Sequence, residues 1–288
     1  MTSITFHGID VGLFEGDEDL VGRIIDGASD TPGLRNGDVL VGASKVVSLA
    51  EGRFVDLETV DVSPRARRIG RVTGVDEREV ELILRESRLV GVIPVASVAG
   101  DHLRAHAADE SGADTALAEL PSLLVTVRNG RLCTNAGIDL SNSPNGTATL
   151  LPSDPNESAR RIREELEDRA GVSVAVVVSD SELSYRGGST DVAIGCSGID
   201  PVDRNFGATD LYGNPKLGGV DLVADELAGA GALVSGQASE RLPIVLVRGL
   251  AYDDGEGIAP EVGHLRNGFV PTLVQSARVK LAEKLPGF

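Results

Sequence analysis

The sequence predicts a mixed α/β or α+β fold. Short β-branched runs alternate with helical patterns, residues 174–178 form a run with no polar side chain, and no internal repeat or low-complexity linker interrupts the alternation. At 288 residues and 41% hydrophobic content, the chain can bury a substantial core as one large domain or two smaller ones. Residues 38–45 read as a buried strand running into a polar end at Ser44 and Lys45. Residues 123–127 and 131–134 read as a hairpin, with Asn129-Gly130 supplying the positive φ angles of a tight turn. The clearest helix begins at Asp154, whose carboxylate can cap the first turn while Pro155 takes the first helical position and Glu157 completes a capping-box-like pattern. Ile162 and Leu166 mark its apolar stripe, and Gly171 is its natural stop. Residues 174–178 then form a strand covered on both faces, with Asp180 and Ser181 just past its carboxyl end. A second helical pattern covers residues 222–234, and residues 243–247 resemble another buried strand. Beyond Tyr252, residues 253–257 read as an exposed loop, and a C-terminal helix is expected over residues 272–285.

Composition narrows the function. The formal charge is −17, from 27 Lys+Arg against 44 Asp+Glu, and a field of that sign opposes broad contact with nucleic acid or anionic lipid. The only lysines are Lys45, Lys216, Lys280 and Lys284; every other basic side chain is arginine, histidine aside. Acid-rich and lysine-poor composition points to a salt-adapted cell, where concentrated salt screens carboxylate repulsion, although an ordinary acidic enzyme has a similar balance. Cys133 and Cys196 lack CxxC spacing, so each is expected to be a buried free thiol. The longest charge-free apolar stretch, residues 89–100, is too short to span a bilayer, and no leader-like series opens the chain, so a cytoplasmic protein is expected.

Familiar catalytic and nucleotide fingerprints are missing. The sequence has no GxxxxGK[ST] loop and no GxGxxG between a strand and a helix; Gly229 and Gly231 fall inside a helical pattern. His7, His102, His106 and His264 lack a nucleophile-elbow context. His102 and His106 have i,i+4 spacing but no glutamate in the metalloprotease position, and they read as solvated. Two carboxylates are better placed. Asp139 lies in the polar, turn-prone segment 135–142 directly after the hairpin, and Asp180-Ser181 ends a strand. Carboxylates with hydroxyl and amide neighbours at strand ends form hard oxygen sites suited to magnesium or manganese, which bridge phosphate oxygens. The same residues also serve as caps and turn formers, and spacing alone does not choose.

Both aspartates stand inside longer strings. These are Gly37-Asp38-Val39-Leu40, Ser44-Lys45-Val46-Val47-Ser48, Ala50-Glu51-Gly52-Arg53 and Glu81-Leu82-Ile83-Leu84-Arg85-Glu86-Ser87. Residues 135–142, Ser158-Ala159-Arg160-Arg161-Ile162-Arg163, Asp180, Arg186-Gly187-Gly188 and Val192-Ala193-Ile194-Gly195 follow, and then Asp210-Leu211-Tyr212-Gly213 and Ala224-Asp225-Glu226-Leu227. In this order and spacing, from near the N-terminus to about Gly249, they resemble the coenzyme F420 L-glutamate ligase (F420-0:γ-glutamyl ligase) family. The resemblance implies an α+β fold of two lobes, with residues 1–250 as the catalytic module and residues 251–288 as a C-terminal extension. It implies a GTP-dependent ligase of archaeal type that adds L-glutamate to coenzyme F420-0 and F420-1, giving GDP and phosphate. It also implies a homodimer with its site in a cleft near the interface. Asp139 and Asp180 correspond to catalytic ligands of one divalent ion, magnesium or manganese, with Ser181 and Gln237 holding a second and K+ as a further candidate ion. Ser44, Lys45 and Asn142 fall at GTP contacts; Ser235, Gly236 and Gln237 lie in a loop that also meets the nucleotide, and the segment from Gly12 to Glu15 aligns with another contact.

The sequence departs from the family pattern at defined positions. Leu49 stands where the family shows a second lysine, so a phosphate contact is lost or replaced by an arginine. Ser181 replaces a threonine and keeps the hydroxyl, and residues 182–185 replace a phenylalanine-glycine-arginine-proline type of run that bears on the acceptor. Two other functions fit the same scaffold: a ligase acting on a different carboxylate acceptor, and a non-catalytic nucleotide-binding homologue. Loss of both aspartates would favour the second, and both are present.

Overall fold

In a computed structural model of the chain, the structure describes residues 3–14, 18–141, 143, 146–184, 188–236 and 240–259. The expected C-terminal helix over 272–285 lies outside them. In chain order the elements are β1 (Thr5–Ile9), α1 (Leu20–Ala28), β2 (Val39–Ala43), α2 (Ser44–Ala50), β3 (Phe54–Asp56), α3 (Pro64–Thr73), α4 (Glu77–Glu86), β4 (Arg88–Ile93), α5 (Val95–Ala105) and α6 (Glu110–Glu119). They continue as β5 (Leu123–Arg128), β6 (Arg131–Thr134), β7 (Thr147–Thr149), α7 (Pro155–Ala170), β8 (Ala175–Leu183), β9 (Ser189–Ser197), α8 (Val223–Ser235) and β10 (Ile244–Arg248). The chain is therefore mixed α and β, with mainly antiparallel pairing as in an α+β fold.

The largest sheet runs β1-β10-β2-β8-β9, parallel only between β2 and β8. Its central strands are nearly all apolar because both faces are covered. On one face Leu40, Val176 and Val178 join Ile24, Ile162 and Leu166, and on the other Val39, Val41, Ala175 and Val177 join Ala224, Leu227 and Ala228. Leu166 is fully buried in α7, and truncating such a leucine to alanine costs about 2–5 kcal/mol. A third apolar cluster is separate: Ala66, Val80 and Ile83 from α3 and α4 pack with Leu124, Ile138 and Leu150. It underlies the β4-β5-β6 sheet and the β3-β7 pair.

Local chemistry explains most boundaries. Asp154 caps α7 by accepting from the amides of Asn156 and Glu157, Pro155 follows, and Gly171 takes the left-handed conformation that closes the helix. The capping box is only half made, because the Glu157 carboxylate accepts from Arg160 one turn on. The Asn129-Gly130 turn has φ of 49° and 78°, as the hairpin requires. Cys133 and Cys196 are buried free thiols. His102 and His106 are exposed at the end of α5, their rings 4.5 Å apart and tilted by 41°, and no helix of the described residues is long and apolar enough to cross a membrane.

Two expectations are corrected. Ser44 and Lys45 do not end a strand: β2 stops at Ala43, and they open α2, whose Val46, Val47 and Leu49 turn into the core. Asp180 and Ser181 do not lie past a strand end either. β8 runs on to Leu183 as one arm of a hairpin with β9, pairing Asp180 with Val192 and Ser181 with Asp191 after an irregularity at Val178/Ser179. The polar residues follow the strand because backbone pairing with β9 outweighs their weak strand propensity.

Candidate functional site

The carboxyl end of the parallel pair β2 and β8 opens into a cleft of about 520 Å³, the size of a small-ligand site. Each wall has a local cause. β2 delivers Ala43, whose amide donates to the Pro243 carbonyl at 2.8 Å, and the chain then turns into α2 with Ser44 and Lys45 in the first turn. β8 carries Asp180 beside them, and the Ser44 hydroxyl donates to its Oδ1 at 2.6 Å.

Asp139 arrives by a strained route. After β6, Asn135, Ala136 and Gly137 adopt φ of 47°, 57° and 68° in succession, a left-handed turn rare for side-chain-bearing residues. Asn135 holds it: its Oδ1 accepts from the Leu124 amide at 2.7 Å and its Nδ2 donates to Glu79 at 3.2 Å. Gly137 is required, since a Cβ there would collide with Leu151. The chain leaves the turn paired backbone to backbone with β7, Asp139 N to Thr149 O at 3.0 Å and Thr149 N to Asp139 O at 2.9 Å. The carboxylate then meets Lys45 Nζ at 2.5 Å and accepts from the Ser141 amide at 2.7 Å and the Ser141 hydroxyl at 3.0 Å. Lys45 also donates to the Ser141 carbonyl.

The site is short of positive charge. Burial pushes the Asp180 carboxyl up to about 7, and the charges of Glu182, Asp139 and Asp191 add to it against the bond from Ser44. Burial likewise lifts Glu79 to about 7, with Asp76 and Asp139 contributing, and raises Glu182. A carboxylate held this way gains from any cation that enters.

The fit to a divalent ion rests on the donors present. Ser44, Asp139, Asp180, Ser181 and Asp191 line the cleft with hard oxygen atoms, and Ser181 donates to Asp191 at 2.6 Å. The buried Ser48 hydroxyl, which also lines the cleft, has no hydrogen-bond partner among the described residues. No three carboxylate, histidine or cysteine side chains of the described residues converge into a ready cage. Hard oxygen donors of this kind fit Mg2+ or Mn2+ by type.

Most of the sequence-predicted site residues meet here. Gly12, Ser44, Lys45, Asp139, Asp180, Ser181, Ser235 and Gly236 line the one cleft. Glu15, Asn142 and Gln237 lie outside the described residues. Sequence reasoning missed Asp191, Glu240 and Arg241 as lining residues, and it gave Ser48 no role of its own. Ser48 could have been found from its position one helical turn after Ser44. Asp191 could not, because its place opposite Ser181 depends on the β8-β9 register.

Fold and site together define a mixed α and β protein with an acidic, oxygen-lined cleft suited to a cation and an anionic ligand. The family model for F420-0:gamma-glutamyl ligase matches residues 8–249. A protein of Methanopyrus kandleri named coenzyme F420:L-glutamate ligase is 38% identical over 219 residues, covering 75% of this chain and 77% of its own. Proteins of the same name from Methanothermobacter thermautotrophicus and Halorubrum lacusprofundi are 36% and 37% identical, over 86% and 82% of this chain and 84% and 85% of theirs. The chain belongs to the F420-0:gamma-glutamyl ligase family.

Proposed function

We propose that this protein is a GTP-dependent ligase that adds L-glutamate to coenzyme F420-0, and then to F420-1, in coenzyme F420 biosynthesis, releasing GDP and phosphate. The observation that carries the reading is the convergence of Ser44, Lys45, Asp139 and Asp180 on one cleft in a member of this family.

Amide formation needs an activated carboxylate. The terminal carboxylate oxygen of the coenzyme precursor attacks the γ-phosphorus of GTP, the bond to the bridging oxygen breaks, and GDP leaves with that electron pair. The amine of glutamate then attacks the acyl carbon, phosphate departs, and the nitrogen loses a proton to give the amide. Both steps gather negative charge, which Lys45 offsets as it exchanges Asp139 for phosphate. Asp139 and Asp180 would hold one divalent ion, Mg2+ or Mn2+, with Ser181 and Gln237 toward a second and K+ as a further ion. Bound there, the ions neutralise phosphate oxygens and polarise them. Asp180 is kept in place by Ser44, and Asp139 by its amide and hydroxyl bonds from Ser141. No covalent enzyme nucleophile is needed.

The separate apolar cluster around Ile83 and Leu124 supports a division into two lobes. Phe206, Leu211, Tyr212 and Leu217 stand strongly exposed on one segment, an apolar surface that supports a homodimer. The acidic, lysine-poor composition supports an enzyme of a salt-adapted archaeon. The reading is tested by incubating the purified protein with coenzyme F420-0, labelled glutamate and manganese, with GTP or ATP. GTP-dependent glutamyl product with GDP release is expected, and GTP hydrolysis without product would overturn it.

A further inference from the structure

We infer that Arg53, Glu86 and Arg128 are positioning residues for the ligation, a role that rests on the assignment of Asp139 and Asp180 to one divalent ion. None of the three lines the cleft. They act through residues 149–152, where the chain crosses between two apolar cores. Leu150 packs in the cluster around Ile83 and Leu124, and Leu151 in the cluster around Ile24 and Leu166. The crossing governs where Asp139 stands relative to Asp180. β8 of the large sheet carries Asp180, whereas Asp139 follows Ile138, which packs with Leu150 in the smaller core. Asp139 is paired backbone to backbone with Thr149, and the Leu151 side chain fills the space beside Gly137. A shift of residues 149–151 against β8 therefore changes the spacing of the two carboxylates.

The crossing is held from both sides. Arg53 follows α2, and its amide donates to the Ser48 carbonyl at 2.8 Å. Its own carbonyl accepts from the Leu150 amide at 2.8 Å, and its Nε donates to the Leu151 carbonyl at 3.1 Å. From the other side Arg128, the last residue of β5 and only 7% exposed, donates to the carbonyls of Leu151 at 3.3 Å and Pro152 at 2.9 Å. Its neighbour Asn129 donates to the Ser153 carbonyl at 2.9 Å. Glu86, the last residue of α4, joins the two arginines: one carboxylate oxygen accepts from Arg53 at 2.7 Å and from Arg128 at 3.2 Å. Charge-assisted bonds partly shielded from water fix geometry more firmly than neutral ones. Glutamine at position 86 keeps the shape and leaves two guanidiniums without their counter-ion.

The test titrates manganese in the presence of GDP at one fixed high salt concentration, reads free Mn2+ by electron paramagnetic resonance, and pairs each titration with a thermal melt. The proteins are wild type, Glu86→Gln, Arg53→Lys and Asp38→Asn, with Asp180→Asn marking non-specific binding to the acidic surface. Asp38 is the control for stability alone: it is buried at the opposite end of β2 from Ser44 and takes two bonds from Arg248, at 2.8 and 2.6 Å. Glu86→Gln is expected to weaken manganese binding about tenfold, the lower end of what outer-shell partners of a metal site contribute. Arg53→Lys, which keeps a cation for Glu86 and gives up the Leu151 bond, should lose part of that. Asp38→Asn should melt lower than wild type and bind manganese unchanged. In the ligation assay the manganese requirement of Glu86→Gln should rise by the same factor, with most of kcat restored by excess manganese. Should Glu86→Gln fail to fold, Arg53→Lys carries the comparison. Wild-type manganese affinity in the folded variants would overturn the proposal and leave the metal assignment intact, and so would an equal loss in Asp38→Asn. Failure of the wild type to bind manganese above the Asp180→Asn level would overturn both.

Discussion

Replacing Asp180 by asparagine should stabilise the metal-free protein at neutral and alkaline pH while nearly abolishing ligation. Burial and three nearby carboxylates lift this group from 3.8 to about 7 in the folded state. Between those values the unfolded chain releases a proton that the folded protein keeps, so the native state loses stability as pH rises from about 4 to about 7 and carries the full penalty above that. Three pKa units correspond to about 4 kcal/mol. Asp180 retains some solvent contact in the cleft, and screening lowers the expected effect to about 1–3 kcal/mol. For a chain of this size that is about 2–6 °C in melting temperature. The assay is thermal unfolding of wild type and Asp180→Asn from pH 4 to 9 at fixed high salt, with and without manganese. The variant should melt higher at pH 8, the gap should close toward pH 4, and manganese should stabilise the wild type more. A variant that melts lower at every pH would refute the view of Asp180 as a carboxylate short of a cation, and undiminished turnover at limiting metal would refute its catalytic role.

Other residues give independent tests. Asn135→Ala removes two side-chain hydrogen bonds and leaves alanine in a left-handed turn, so a loss of about 2–4 kcal/mol is expected in urea denaturation. A change under 1 kcal/mol would show that the turn holds without that side chain. Lys45→Ala should raise the KM for GTP about tenfold or more and leave the KM for glutamate nearly unchanged, with Lys45→Arg recovering only part. An alanine variant that folds and keeps wild-type GTP dependence would make Lys45 a partner of Asp139 alone. Ser48→Ala removes a buried hydroxyl with no partner among the described residues, so it should gain about 1 kcal/mol of stability while weakening GTP binding. Unchanged binding would remove Ser48 from the site.

Strong local signals carried the sequence reading. The apolar run of β8, the Asn129-Gly130 turn, and the Asp154, Pro155 and Gly171 signals of α7 each act within a few residues, and each appears as expected. What was misread depends on partners distant in sequence. Asp180 to Leu183 looks unlike a strand until β9 pairs with it, and Ser44-Lys45 looks like a strand end because Val46 and Val47 mask the start of α2. Gly137 hints at a left-handed turn, but nothing local assigns the same conformation to Asn135 and Ala136; tertiary bonds to Leu124 and Glu79 impose it. Arg241 carried no signal for the same reason. The candidate aspartates were visible as residue types beside hydroxyls, but their meeting in one cleft with Lys45 and Ser44 is a product of the fold.

The most direct test of the central claim is mass analysis of the coenzyme after incubation of folded, purified protein with F420-0, isotopically labelled glutamate, manganese and GTP at high salt. The account predicts a product heavier by one labelled glutamyl residue, formed together with GDP, and absent from the Asp139→Asn and Asp180→Asn reactions. Recovery of unmodified F420-0 from wild-type protein that remains folded and binds GDP would contradict it.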